Sequence, residues 1–169
     1  MSRFLIPAPR LALVSLLASQ SVPAFDVRQL TLEELMELNV YSVSRRDEAL
    51  RQAPAAVHVL TGEDIRRARV TSVPEALRLV PGVQVARVDA NKWAVSIRGF
   101  NGRAANKLQV MIDGRSIYDP LFSGVLWESR DVMLENIDRI EVIRGPGGTL
   151  WGANAVNGVI NIVTKHTRD

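Results

Sequence analysis

At Pro81-Gly82 the hydrophobic pattern of this chain changes period, from helical spacing on one side to alternation on the other. Proline and glycine at that junction stop a helix, so no single element runs through it and the chain must combine both kinds of structure. On the helical side, Ser72 stands at an N-cap, Pro74 and Glu75 fill a first turn, and Ala76, Leu77, Leu79 and Val80 form an apolar face. Proline is tolerated there because the first helical amides have no partner inside the helix. Further upstream, Ala55–Leu60 reads as a strand, and Thr61 with Asp64 opens a short helix over Glu63–Arg69. On the alternating side, Val83, Val85 and Val88 interspersed with Gln84 and Arg87 make a strand, and Ala94–Arg98 makes another, broken at Gly99. Leu108–Ile112, Asp113-Gly114 and Ser116–Tyr118 spell a tight hairpin, because Asp-Gly suits turns with positive φ. Leu134–Asp138 reads as one helical turn, Ile140–Ile143 as a strand ending in Gly145-Pro146-Gly147-Gly148, and Gly158–Thr164 as the strongest strand of all. The sum is a small α+β domain over residues 53–165 with two or three short helices, followed by a tail, 166–169.

The first 24 residues have a different character. Arg3 and Arg10 precede the apolar run Leu11–Ala18, and Val22-Pro23-Ala24 ends on a small residue. That is the layout of a secretory signal peptide, with cleavage before Phe25, and the run falls short of the roughly 20 residues of a spanning helix. Residues 25–52 then read as an arm. Leu30–Leu38 has the pattern of a short helix, with Thr31 as cap, Glu34 at the capping-box position and Leu30 stapled onto Leu35. Asn39–Val43 is extended in character and Ser44–Glu48 is polar.

Composition excludes several functions. There is no cysteine, hence no disulfide, thiolate metal site, Fe–S cluster or cysteine nucleophile. The net charge of +3 comes from 21 basic and 18 acidic residues; without Arg3 and Arg10 the balance is 19 to 18, or +1. No basic stripe accompanies it, so nucleic acid is not an implied partner. The two histidines are His58, in an apolar strand, and His166, in the tail, and no Gly-x-Ser-x-Gly elbow is present. The reading is a protein that is not an enzyme and has no metal site and no cofactor. Gly145–Thr149 lacks the Lys-Ser/Thr pair of a phosphate-binding loop and does not fit G-x-G-x-x-G. Gly99, Gly145, Gly147 and Gly148 are expected to serve positive φ or close backbone approach. Trp151 and Phe100 read as packing anchors ahead of ligand platforms. Arg98 and Arg144, each beside a glycine at a strand end, read on their own as solvated side chains.

Six motifs occur in order: Pro81-Gly-Val83, Ser96-Ile-Arg-Gly-Phe100, Val110-Met-Ile-Asp-Gly114, Ile140-Glu-Val-Ile-Arg-Gly-Pro146, Leu150-Trp-Gly-Ala-Asn-Ala155 and Gly158-Val-Ile-Asn-Ile162. The array resembles the plug domain of TonB-dependent outer-membrane receptors, over about Leu32 to Thr164. The resemblance implies a short mixed β-sheet with structural turns at Gly82, Gly99, Asp113, Gly114, Gly145, Gly152 and Gly158. It implies that Arg98 and Arg144, with Glu141 nearby, face the inner wall of a β-barrel, where guanidinium groups suit carboxylates; Glu141 can also pair within the plug itself. It implies a TonB-contact segment, for which Val40, Tyr41, Ser42 and Val43 are the candidates, departing from the commoner acidic-Thr-Val-Val type. An ordinary linker or first strand is the alternative reading of that segment. Substrate-facing loops are expected at Asp89–Trp93, Asn101–Asn106 and Pro120–Leu126, with Asn91, Trp93, Asn101, Arg103 and Phe122 as candidates for a small-molecule substrate such as a ferric siderophore. A plugged barrel has about 22 strands of about 9–11 residues each, and these residues encode at most one or two. The expectation is therefore a fragment or truncated receptor, in the outer membrane when intact and periplasmic if alone, with a stand-alone periplasmic adaptor as the alternative.

Overall fold

A computed structural model of the chain describes residues 39–42, 48–49, 55–130 and 132–166. The signal peptide, the helix expected at Leu30–Leu38, the start of the domain at Ala53 and candidate residue Val43 lie outside the described residues.

Among the described residues, nine strands form three sheets. The largest has the order β3 (Val57–Thr61), β8 (Ile137–Ile143), β9 (Gly158–Thr164), β6 (Leu108–Ile112), β7 (Arg115–Ser116). It is mixed: β3, β8 and β9 run antiparallel in succession, whereas β6 lies parallel to β9 with Val110 opposite Ile160. A second ribbon joins β4 (Val83–Arg87) to β5 (Trp93–Ile97), and a third joins β1 (Asn39–Val40) to β2 (Glu48–Ala49). The helices are α1 (Gly62–Ala68), α2 (Val73–Leu77) and α3 (Gly148–Trp151), with 3-10 turns at Trp127–Ser129 and Leu134–Asn136.

Alternation along the central strands divides the core in two. Ile140 and Val142 of β8, Ile160 and Ile162 of β9, and Leu108 and Val110 of β6 point to one face, where they meet Ile65, Leu77, Val80 and the β5 residues Trp93, Val95 and Ile97. Ile143, Val159 and Met111 point to the other, where they meet Val40 and Ala155, with Val57, Val59 and Trp151 packed against them. β9 is covered on both faces and reads as a nearly unbroken apolar run, whereas β8 carries Asp138, Arg139 and Glu141 among its apolar residues. Each fully buried aliphatic side chain here contributes roughly 1.5–3 kcal/mol of transfer free energy. Val40 is wholly buried, so this residue of the 25–52 segment packs with the core and does not stand away from it.

Helix starts follow local chemistry at one site and depart from it at another. Thr61 caps α1 in a reciprocal box: its hydroxyl accepts from the Asp64 amide at 3.2 Å, and the Asp64 carboxylate accepts from the Thr61 amide at 3.1 Å. Thr61→Ala is expected to lower stability by about 0.5–2 kcal/mol, measurable as a shift in denaturant midpoint at constant slope. At α2, Ser72 occupies the cap position with extended backbone but makes no capping bond, and its buried hydroxyl has no partner. Thr71 takes over the local polar work, donating from both its amide and hydroxyl to Glu75 at 2.8 Å. Those bonds hold the Glu75 carboxyl below its ordinary pKa.

The predicted hairpin turn is present, with Asp113 and Gly114 both at positive φ (48° and 76°). Asp113 is tied across the sheet end by Thr164, whose amide and hydroxyl donate to its carboxylate at 2.8 Å. Gly158 is needed for a different reason: a Cβ there would stand 2.6 Å from both the Ile143 carbonyl oxygen and Ile97 Cδ1. Gly82, Gly99 and Gly152 also have positive φ, and Gly147 is crowded by Val159, but Gly145 and Gly148 show neither feature.

Candidate functional site

Two regions gather the residues singled out by the sequence. The first is a seat for the arm on the Val40 face of the large sheet. Glu141 lies in the middle of β8, between Val59 of β3 and Asn161 of β9, and is completely buried. Alternation sends it to the face opposite Ile140 and Val142, where the arm crosses. The Ser42 amide and hydroxyl donate to Glu141 Oε2 at 2.9 and 2.5 Å, and the Tyr41 amide donates to both carboxylate oxygens at 3.1 and 3.3 Å. Arg139 Nε donates to Oε1 at 2.9 Å, and Arg139 Nη1 reaches Asp138 at 2.7 Å. A buried carboxylate is costly unless its lone pairs are filled, and here backbone amides of the arm and one guanidinium fill them. Trp151 closes the seat from α3: its Nε1 donates to the Ser42 carbonyl at 2.7 Å, and its ring lies 6.4 Å from the Tyr41 ring. Gly114, in the β6–β7 turn, lies beside the Tyr41 ring.

Glu141 is therefore not a wall-facing group in this structure, because its carboxylate is consumed inside the domain. Candidates Val40, Tyr41 and Ser42 come together at this seat. Arg139 and the indole of Trp151 were not foreseen as part of it. The available signal was an acidic residue inside an apolar central strand, which demands a partner from whatever covers that face.

The second region is a cluster of loops. Arg103, from the 98–107 loop, pairs with Glu128 of the Trp127–Ser129 turn at 2.6 Å. Gly124 packs so closely on Ala104 that a Cβ would meet its backbone at 2.7 Å. Arg103 also adds to the field that favours the charged form of Asp89, whose pKa is lowered mainly by the Ala90 amide and by Lys92. Two of the three loops expected to share a task, 101–106 and 120–126, thus meet. The 119–124 loop is braced by an Asp119–Gly124 bridge and by Asp119 Oδ1 accepting from the Leu121 and Phe122 amides, and it holds Leu121 and Phe122 in solvent, 82% and 53% exposed. Asn91 and Asn101 are exposed in their loops.

Two expectations at this end are corrected. Trp93 is not a loop residue: it begins β5 and is buried, with Arg78 and Arg87 stacked over its ring at 5.4 and 5.2 Å. The loop ends one residue earlier because Arg87 pairs with Trp93 in the β4–β5 register. Phe100 is not a packing anchor, since it is 76% exposed. Arg98, Gly99 and Phe100 all have positive φ (56°, 94° and 56°), and this left-handed run turns the chain, and the ring, out of the sheet. Positive φ at a bulky non-glycine residue is strained, which places strain next to both an arginine and an aromatic ring.

Arg98 is exposed and makes no ion pair among the described residues. Arg144 is half-buried above the Pro81-Gly82 turn, where Nη1 donates to the Pro81 carbonyl at 3.4 Å while Nε is buried without a partner. Neither guanidinium pairs with a carboxylate among the described residues. Arg144 also acts on His58, whose pKa is lowered by burial and then by that positive charge, against a smaller opposing pull from Asp64. A histidine with a depressed folded-state pKa is neutral in both states above its ordinary value of 6.5, and below it the unfolded chain binds the proton first. Stability is thus full above that pH and falls as acid is added. His58→Gln is expected to flatten this acid limb in denaturation curves at fixed pH values.

Among the described residues there is no group of three or more His, Cys, Asp or Glu that could hold a metal, and no helix long and apolar enough to cross a membrane. The TonB-dependent Receptor Plug Domain family matches residues 49–159. The iron-regulated outer membrane virulence protein of Vibrio cholerae is 34% identical over 98% of this chain and 25% of its own length. The ferric enterobactin receptor PirA of Pseudomonas aeruginosa is 34% identical over 92% of this chain and 23% of its own. Among solved structures, the ferric-catecholate import receptor Fiu of E. coli superposes with a TM-score of 0.58 and 27% identity, covering 80% of this chain and 18% of that one. This chain thus spans about a quarter or less of the length of these relatives, of which PirA and Fiu are receptors by name. Matched sequence, mixed sheet and braced loops agree: the chain belongs to the TonB-dependent receptor plug domain family.

Proposed function

We propose that this domain closes the lumen of an outer-membrane β-barrel and gates energy-dependent uptake of a small substrate, an iron chelate in view of the relatives named above. The observation that carries this reading is the division of labour over the surface. One region is the pair of packed loops at 101–106 and 120–126 bearing exposed Phe122, Leu121, Asn101 and Arg103, and these are the groups proposed to touch substrate. Arg98, at the start of the 98–107 loop, and Arg144, above the Pro81-Gly82 turn, pair with no carboxylate among the described residues, and they are proposed to meet acidic side chains of a barrel wall. A fork of donors in a confined space suits carboxylates well.

The arm is proposed to recruit TonB by adding a strand to its sheet. That mode depends on backbone hydrogen bonds and is tolerant of sequence, in keeping with Val40–Val43. While the arm is docked, the amides of Tyr41 and Ser42 and the Ser42 carbonyl are occupied by Glu141 and Trp151, so pairing with another chain requires release from the seat.

A graft tests the proposal. Residues 39–166 replace the corresponding plug segment of PirA, and iron uptake is measured in cells with and without TonB. Uptake that depends on TonB is expected, reduced at least tenfold by a proline at Tyr41 or by Arg98→Glu with Arg144→Glu. A chimera that reaches the outer membrane and transports equally well with those substitutions overturns the reading.

A further inference from the structure

The chain contains two Asn-Gly steps, Asn101-Gly102 in the 98–107 loop and Asn157-Gly158 at the start of β9. An asparagine followed by glycine is chemically labile, because glycine has no Cβ to shield its backbone nitrogen from the side-chain amide one residue back. Whether that chemistry runs depends on the freedom of the peptide between the two residues, and the fold treats the two steps in opposite ways.

At Asn157 the attack is blocked. The Asn157 amide donates to the Lys107 carbonyl at 2.9 Å, and Gly158 is buried opposite Leu108 in the β6–β9 ladder. Beside Gly158 there is no free space, since a Cβ would stand 2.6 Å from the Ile143 carbonyl oxygen and from Ile97 Cδ1. Swinging Asn157 Cγ onto the Gly158 nitrogen means rotating a peptide pinned on both sides, which requires local opening of β9. At Asn101 none of these restraints is present. Its side chain is exposed, and neither it nor the Gly102 N–H is engaged in a hydrogen bond among the described residues. Gly102 has no positive φ and no atom within 4 Å of a Cβ position, so a side chain fits there without strain. Asn91 and Asn106 are also exposed, but each precedes a lysine, whose Cβ hinders the same attack.

We propose that Asn101 is a site of spontaneous deamidation, and that β9 protects Asn157 from the same reaction. The Gly102 nitrogen gives its proton to solvent hydroxide and attacks Asn101 Cγ. The Cγ–Nδ2 bond breaks, ammonia leaves, and a cyclic imide closes. Water then adds to one of the two imide carbonyls and breaks that carbon's bond to the Gly102 nitrogen. Opening at Cγ leaves aspartate; opening at the main-chain carbonyl leaves isoaspartate. The 98–107 loop carries Arg98, Arg103 and Lys107 and no acidic residue, so the new carboxylate takes its charge from +3 to +2. That change falls close in sequence to Arg103, which pairs with Glu128.

Peptide mapping by mass spectrometry tests this on the full chain, held in mildly alkaline buffer with and without urea. In the folded protein Asn101 is expected to convert at least about tenfold faster than Asn157, and in urea, where β9 is undone, the two rates should come together. The product is identified by the mass gain of an amide NH2 exchanged for OH and by isoaspartate-specific methylation. Gly102→Ala is expected to slow conversion at Asn101 by roughly tenfold and to leave Asn157 as it was, with the melting curve confirming an intact fold. An Asn101 as inert as Asn157 in the folded chain, a rate gap that persists in urea, or an unchanged rate in Gly102→Ala overturns the proposal. The measurement involves no barrel, TonB or substrate, so its outcome is separate from that of the graft.

Discussion

Glu141→Ala is expected to destabilise the domain by about 3–5 kcal/mol, the loss that follows when one partner of a buried charged network is removed. The Glu141 side chain is fully buried and Arg139 is 23% exposed, so solvent offers little screening of the contact. Truncation leaves the Tyr41 and Ser42 amides and the Ser42 hydroxyl without their acceptor, and it leaves Arg139 with only the more exposed Asp138. The second effect is apolar: an arm freed from its seat withdraws Val40 from Met111, Ile143 and Val159. Urea denaturation of the wild type and the variant measures the first effect. Amide exchange at Tyr41 and Ser42 measures the second, with protection lost in the variant. A destabilisation below about 1 kcal/mol, the size of an exposed ion pair, would show that the arm does not depend on this carboxylate. Glu141→Gln retains the shape and one acceptor, and its loss should be smaller, about 1–3 kcal/mol for the hydrogen bonds to charge that it forfeits.

Trp93→Ala is the second large expectation, at about 3–5 kcal/mol for truncating a large aromatic residue in a core. Trp93 is 6% exposed and belongs to the larger apolar cluster with Val95, Ile97 and Leu77. Its loss opens a void beneath α2 that neighbouring side chains, held in two ladders and a helix, fill only in part. The Arg78 and Arg87 contacts over its ring add roughly 0.5–1 kcal/mol each at an exposed site, and both go with the indole. Trp93→Phe keeps a ring for the two guanidinium groups and should recover part of the loss. Thermal melts followed by near-ultraviolet circular dichroism would register both the stability change and the ordered indole. A melting curve unchanged in Trp93→Ala would restore Trp93 to the surface, as the sequence first suggested.

These two residues mark where sequence reasoning ran out. Trp93 follows Asp89, Ala90, Asn91 and Lys92, a loop composition, and nothing local says that the strand begins at the tryptophan. The decision comes from its cross-strand partner Arg87 and from the helix against which the hairpin packs. Phe100 was assigned inward on hydrophobicity alone, and a run of three left-handed residues turned it out. Val40 belongs to a segment that reads only as an extended part of the arm, yet it fills a gap on a sheet face formed by strands about a hundred residues away in sequence.

What the sequence by itself determined is everything ruled by neighbours a few residues apart. The Asp113-Gly114 turn, the Thr61–Asp64 box, the stop at Pro81-Gly82 and the strand Gly158–Thr164 all follow from local φ preference, capping geometry and period. The ordered motifs add the family. Only the tertiary structure decided the parallel pairing of β6 with β9, the meeting of the 101–106 and 120–126 loops, and the burial of Glu141 beneath the arm. Alternation places Glu141 on one face of β8, but which segment covers that face depends on strand order and chain path, and these are set by contacts between residues far apart in sequence that leave no periodic trace in it.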